Sequence, residues 1–88
     1  MESRDTYTDE PFEPPNGVLE TGIARIWQEI LDIGPIGRSD NFIELGGSSL
    51  RAAQCCQRLA AELDASATVE KLIRSDDLAA FALALTDD

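Results

Sequence analysis

From Val18 onward the apolar positions recur with the period of a helix. Leu19, Ile23, Ile26, Trp27, Ile30 and Leu31 fall at i, i+4, i+7, i+8, i+11 and i+12, forming one broad stripe. Asn16 stands where a helix cap belongs, and Gly34 and Pro35 in "DIGPIG" cannot continue the helix. The next stretch, "GPIGRSDNFIELGG", is a long connection. A short turn of helix is expected in it at Asp40–Leu45, capped by Asp40, with Phe42, Ile43 and Leu45 tucking the loop onto the core. A connection of that length in so small a domain is more often functional than idle.

A second helix is predicted over about Ser49–Leu63. On a wheel of 100° per residue, Ala52, Cys55, Cys56, Leu59, Ala60 and Leu63 share one face, and Arg51, Gln54, Gln57, Arg58 and Glu62 cover the other. Leu50 stays out of the stripe and projects with Gln54, Gln57 and Ala61 toward solvent. After the "DASAT" loop, Val69, Leu72 and Ile73 fit a short third helix. "SDDLAAFALALTDD" supplies a last helix capped by Ser75 or Asp76, with Leu78, Phe81, Ala82 and Leu85 facing inward. No segment alternates with the two-residue period of a strand. The expected fold is all-α, a small four-helix bundle of three main helices plus a short third.

Residues 1–16 hold three of the four prolines, Pro11, Pro14 and Pro15, among charged and polar residues. They read as a flexible N-terminal leader, with the folded domain at 17–86. A chain of 88 residues makes one domain with a modest core. A net charge of -10, with only seven Lys plus Arg, argues against nucleic acid, whose phosphates need a positive surface. There is no membrane-length apolar run and no apolar or Arg-rich leader pattern, so a cytoplasmic protein is expected. The chain has no His, which removes His-based metal sites and hydrolase mechanisms that need an imidazole base. Cys55 and Cys56 point about 100° apart on one helix. They suit neither a mutual disulfide nor, without other soft ligands, a zinc site, and at least one is expected to be a small buried apolar residue.

The stretch "IELGGSSLRAA", residues 43–53, combines a Gly-Gly corner, two hydroxyls and the start of the second helix. Glycines open turns closed to other residues, and a helix N-terminus offers free N–H groups and partial positive charge, which suits a phosphate. A serine there is well placed to carry a phosphodiester. With no His in the chain and Glu44 beyond the glycine corner, self-catalysis is not expected; the hydroxyl reads as a substrate for another enzyme. Serine is also among the commonest helix caps. The corner alone therefore leaves a structural cap and a modified serine both open.

"DNFIELGGSSL", residues 40–50, resembles the carrier-protein signature in which "D-x-F-x-x-L-G-G" leads to "x-S-L". "IARIWQEILDI" at 23–33 is similar to the first helix of thiolation domains of nonribosomal peptide synthetases, and "LRAAQCCQRL" at 50–59 to their second. The likeness covers roughly residues 15–85. It implies an acyl-carrier-protein-like fold and a peptidyl carrier protein, free-standing (type II), with Ser49 as the serine that receives a 4'-phosphopantetheine arm from coenzyme A. Two departures are visible. Ser48 stands where the family most often has His or Asp, and "IRSDDLAAF" lacks the usual aromatic and Pro-Thr pair. The double glycine, Trp27, Arg51 and Arg58 resemble the peptidyl type; an acyl carrier for polyketide or fatty acyl groups and an unmodified helical docking module are the alternatives.

The resemblance further implies a protein that is no enzyme. A phosphopantetheinyl transferase with Mg²⁺ would install the arm, and an adenylation enzyme would load an aminoacyl thioester with ATP. Condensation, tailoring or thioesterase enzymes would then act on the tethered group. Leu50 is the expected anchor for these partners, framed by Arg51, Gln54 and Arg58, with Ile43 contributing from the long connection. The carrier is expected to be monomeric, without resident metal.

Overall fold

The computed structural model describes residues 2–86. Met1 of the expected leader and Asp87 and Asp88 of the acidic C-terminal end lie outside the described residues. Four helices dominate: α1 Gly17–Leu31, α2 Ser49–Leu63, α3 Val69–Arg74 and α4 Leu78–Thr86. Two strands of two residues, β1 Glu2–Ser3 and β2 Ile33–Gly34, pair in parallel, Glu2 opposite Ile33 and Ser3 opposite Gly34. The pairing is a correction to the strand-free expectation. Two residues are too few to show any alternation, so no periodicity announces them.

The α1 stripe is buried as its spacing requires: Ile23, Ile26, Trp27 and Leu31 are inside, with Leu19 and Ile30 half-buried at its margin. The helix stops earlier than Gly34, because Asp32 turns left-handed (φ 56°) and its N–H bonds to the Gln28 carbonyl. Asp is among the few non-glycine residues that visit this conformation. Asn16 takes the cap position without a side-chain bond; instead its N–H donates to Glu20 Oε1 at 3.0 Å.

On α2 the covered strip is narrower than the wheel implies. Ala52, Cys55 and Leu59 are buried and Cys56 and Leu63 half-buried, but Ala60 is exposed. The helix is packed against α1 and α3, which cover only a strip of it. In α3, Leu72 is buried and Val69 half-buried, while Ile73 turns to solvent because six residues give only one inward row. Trp27 is the hub of the core. Its ring meets Phe42 edge-on at 5.1 Å and lies 6.2 Å from Phe81 of α4.

Two caps differ from expectation. The 40–45 segment is a hydrogen-bonded turn, Phe42–Gly46, rather than helix, and Asn41 caps it: its Oδ1 accepts the Glu44 N–H at 2.9 Å. α4 is capped by Asp77, not Ser75 or Asp76: Asp77 Oδ1 accepts the Ala80 N–H at 2.8 Å. Ser75 instead donates its hydroxyl to the Lys71 carbonyl. Asp77→Ala is expected to cost about 1 kcal/mol, read as a fall of roughly 4–8 °C in Tm. Asp76→Ala, in a side chain free of that bond, should change Tm far less.

The N-terminal segment also departs from expectation, since residues 2–13 lie along the 32–40 connection instead of trailing as a leader. Arg4 is 2% exposed and Asp40 1% exposed, and they form a two-pronged ion pair, with Nε 2.9 Å from Oδ2 and Nη2 on Oδ1. Arg4 Nη2 also donates to the Glu10 carbonyl at 2.8 Å, and its guanidinium stands 5.8 Å from the Phe12 ring centroid. The Glu13 carbonyl accepts the Arg38 N–H at 2.9 Å. Hydrogen bonding to Asp40 raises the Arg4 pKa above its ordinary value, so the guanidinium stays charged inside. Asp40, expected as a helix cap, spends its carboxylate on Arg4 and on the Gly37 N–H at 2.9 Å.

Candidate functional site

The long connection ends in a corner built from two glycines. Gly46 has φ +99°, a left-handed value that favours glycine, and a side chain there would be strained. Gly47 lies flat on Phe42: a Cβ would come within 2.3 Å of the ring and 2.7 Å of the Phe42 carbonyl oxygen. The Gly47 N–H donates to that carbonyl at 3.0 Å, and the Gly46 N–H to the Ile43 carbonyl at 3.0 Å. The corner is therefore seated on the core through Phe42, and it delivers the chain to the start of α2.

Of the two hydroxyls, Ser48 is the cap. Its backbone is extended (φ -139°, ψ 173°), its Oγ accepts the Arg51 N–H at 3.3 Å, and its carbonyl accepts the Ala52 N–H at 2.8 Å. Ser49 is the first helical residue and is exposed. Of the Ser-Ser pair, one serine satisfies the helix and the next is left free of that duty. The first turn of α2 carries no acidic residue, so nothing there offsets the helix dipole's preference for an anion.

Leu50, next to Ser49, is 71% exposed, and Gln54 is exposed one turn further along α2; Ile43 in the turn before the corner is 42% exposed. Arg51 is exposed and reaches back across the corner, its Nη1 donating to the Gly46 carbonyl at 3.2 Å. Sequence reasoning missed this bond; only the position of Arg51 in the first turn hinted at it. Arg58 is placed differently from the frame expected around Leu50. Its guanidinium lies 2.8 Å from Glu29 of α1 and 2.6 Å from Glu62, and Arg25 bridges to Glu62 at 3.0 Å. The hydrogen bonds that Arg58 donates to Glu62 and then to Glu29 raise its pKa. Arg58 is committed to holding α1 against α2, because its position on the helix turns it toward Glu29.

Neither cysteine is poised as a nucleophile. Burial pushes the Cys55 thiol up to about 12, and burial raises Cys56 as well, so both are thiols at neutral pH. Among the described residues no group of three His, Cys, Asp or Glu is arranged to hold a metal ion, and no helix is long and apolar enough to cross a membrane.

Residues 21–85 match the family model described as phosphopantetheine attachment site. Malpinin synthetase of Mortierella alpina is 39% identical over 80 residues, covering 91% of this chain and 1% of that protein. The curated relatives matched are far longer than this chain, which spans about 1–2% of their length. Among solved structures, a non-covalent extended docking domain complex of the Pax NRPS has TM-score 0.80 at 32% identity, covering 91% of this chain and 77% of that one. A peptidyl carrier protein in complex with the phosphopantetheine transferase Sfp and coenzyme A has TM-score 0.79 at 25% identity, covering 88% of this chain and 100% of that one.

Proposed function

The chain belongs to the phosphopantetheine-attachment family as a peptidyl carrier of the nonribosomal peptide synthetase kind, and from that premise we propose that Ser49, in the helical unit of residues 17–86, is the residue that receives the arm. The protein is a carrier rather than a catalyst. One observation supports Ser49 above its neighbour. Ser48 takes the capping hydrogen bond, while Ser49 is exposed at the first position of α2, beside an exposed Leu50.

The residues present fit such a group. A phosphodiester on Ser49 Oγ would stand at the positive end of a 15-residue helix, whose first N–H groups have no partner within the helix. When bound, the arm supplies a terminal thiol that holds an aminoacyl or peptidyl group as a thioester. The chain's own part is positional. Gly46 and Gly47 leave the hydroxyl unshielded, and Phe42 fixes the corner. Ser49 Oγ would form the new bond to the pantetheine-side phosphorus of coenzyme A as the P–O bond of its pyrophosphate breaks; adenosine 3',5'-bisphosphate leaves, and the hydroxyl proton goes to the transferase or solvent.

The partners proposed are a phosphopantetheinyl transferase, an adenylation enzyme, and condensation, tailoring or thioesterase enzymes. Leu50, flanked by Ile43, Arg51 and Gln54, forms the contact surface. A small apolar anchor with a polar rim favours brief, repeated encounters over tight complexes. Leu50→Ala is expected to lower kcat/KM for arm transfer roughly 5- to 30-fold, the loss of about 1–2 kcal/mol of buried leucine contact in the complex. Its Tm should stay near that of the parent, since the side chain already faces solvent in the free protein.

The assignment is tested by incubating the protein with coenzyme A, Mg²⁺ and a transferase of broad specificity, then weighing it intact and mapping the peptide. One phosphopantetheine on the peptide bearing Ser49 is the expected result. A protein that keeps its bare mass would instead be an unmodified helical docking module.

A further inference from the structure

The buried Arg4–Asp40 pair serves no step described so far, yet it lies at a junction. Asp40 binds Arg4 and the Gly37 N–H through its side chain, and its carbonyl accepts the Leu78 N–H of α4 at 3.0 Å. The next residue, Asn41, caps the turn through the Glu44 N–H and donates to the Asp76 carbonyl at 3.0 Å. The turn continues through Leu45 N–H to the Asn41 carbonyl and Gly47 N–H to the Phe42 carbonyl, and Ser48 then caps α2. Hydrogen bonds at Asp40, Asn41 and Phe42, joined by the covalent chain between them, therefore lead from the N-terminal segment to the residue before Ser49.

On its inner side the connection from β2 to α2 is tied to α1, through the Ile36 N–H on Gln28 and Arg38 on Glu20, and to α4, through the Arg38 and Asp40 carbonyls. The segment 2–13 holds its outer side, through β1 on β2, Arg4 on Asp40 and the Glu13 carbonyl on the Arg38 N–H. A lone Arg inside a chain of net charge -10 is costly to bury unless it is fully paired, and here it is. The outward side of the segment presents Tyr7, whose hydroxyl donates to Glu2 at 2.7 Å.

We propose that Arg4 is a positioning residue for arm attachment: by latching the N-terminal segment onto Asp40 it holds the outer side of the 36–47 connection in the arrangement that seats the glycine corner and presents Ser49 to the transferase. This rests on Ser49 being the attachment residue. When a binding-competent arrangement is only partly populated, apparent affinity falls by that fraction while turnover of the bound complex is kept. Loss of the latch therefore acts on KM and leaves kcat in place.

The experiment compares wild type, Arg4→Met, Arg4→Lys and the double variant Arg4→Met/Asp40→Asn, which carries no stranded buried carboxylate and so guards against simple failure to fold. Arm transfer is followed with coenzyme A and a transferase of broad specificity, and amide hydrogen exchange is measured on the same proteins. Arg4→Met and the double variant are expected to raise the KM for the carrier about 3- to 10-fold with kcat within about twofold, by the population argument. Exchange should quicken at Gly46, Gly47 and Leu78 while Ile26 and Leu59 stay protected, and Arg4→Lys should recover part of the KM. An unchanged KM with a protected corner overturns the latch, as does a uniform loss of protection with a falling kcat. Wild-type protein that takes no arm overturns both the latch and the attachment site. Wild type that is modified at Ser49 while the variants match it overturns the latch alone.

Discussion

Ser49→Ala is expected to abolish addition of phosphopantetheine outright, leaving the protein at its bare mass under conditions that convert the parent fully. The effect is all-or-none because the hydroxyl oxygen is itself one end of the bond formed. The substitution should barely disturb the fold. Ser49 is exposed, the capping bond to the Arg51 N–H comes from Ser48, and alanine is the best helix former available for the first turn. Ser48→Ala is the informative companion. It removes the cap, should cost about 1 kcal/mol, and should still accept the arm. Modification of the Ser49→Ala protein, or loss of modification in Ser48→Ala with the fold intact, would exchange the roles assigned to the two serines.

The largest loss of stability is expected from Phe42→Ala, about 3–5 kcal/mol. Phe42 is buried, meets Trp27 edge-on at 5.1 Å, and forms the surface on which Gly47 rests. Removing the ring empties a site bounded by an indole, which cannot collapse inward, and by a backbone corner tied by its own hydrogen bonds. For a domain whose total stability is on the order of 5–15 kcal/mol this is a large fraction, and Tm should fall by at least about 12 °C. The site should suffer with the core, since the seat of the corner is gone. Phe42→Leu, which keeps most of the volume, should lose considerably less. A loss under about 1 kcal/mol in Phe42→Ala would mean that the ring is not what seats the corner.

Much of this arrangement was legible in the chain. The α1 stripe was readable because six apolar residues over thirteen positions fit only one period. The bounds of α2 were readable because Gly46, Gly47 and Ser48 punctuate its start, and the observed Ser49–Leu63 coincides with them. The exposure of Leu50 followed from its angle to Ala52, Cys55 and Leu59. Other features were not readable. Ser75, Asp76 and Asp77 can each cap a helix, and the choice fell to Asp77 because seating Leu78 and Phe81 in the core sets where α4 begins. Asp40 looked like a cap from its neighbours alone, but its partner is Arg4, thirty-six positions away.

Local order along the chain therefore determined the helices, the inward face of α1 and the glycine corner before α2, because helical period, capping chemistry and backbone freedom act over a few neighbouring residues. The tertiary structure alone decided that an apparently loose polar N-terminus is anchored by a buried ion pair, that Arg58 serves the α1–α2 contact, and that Asn41 and Asp77 cap where other polar residues compete. Each of those outcomes depends on which surfaces meet after the chain closes on itself. A hydrogen-bonding side chain of ordinary type carries no mark of a partner that only folding brings within reach.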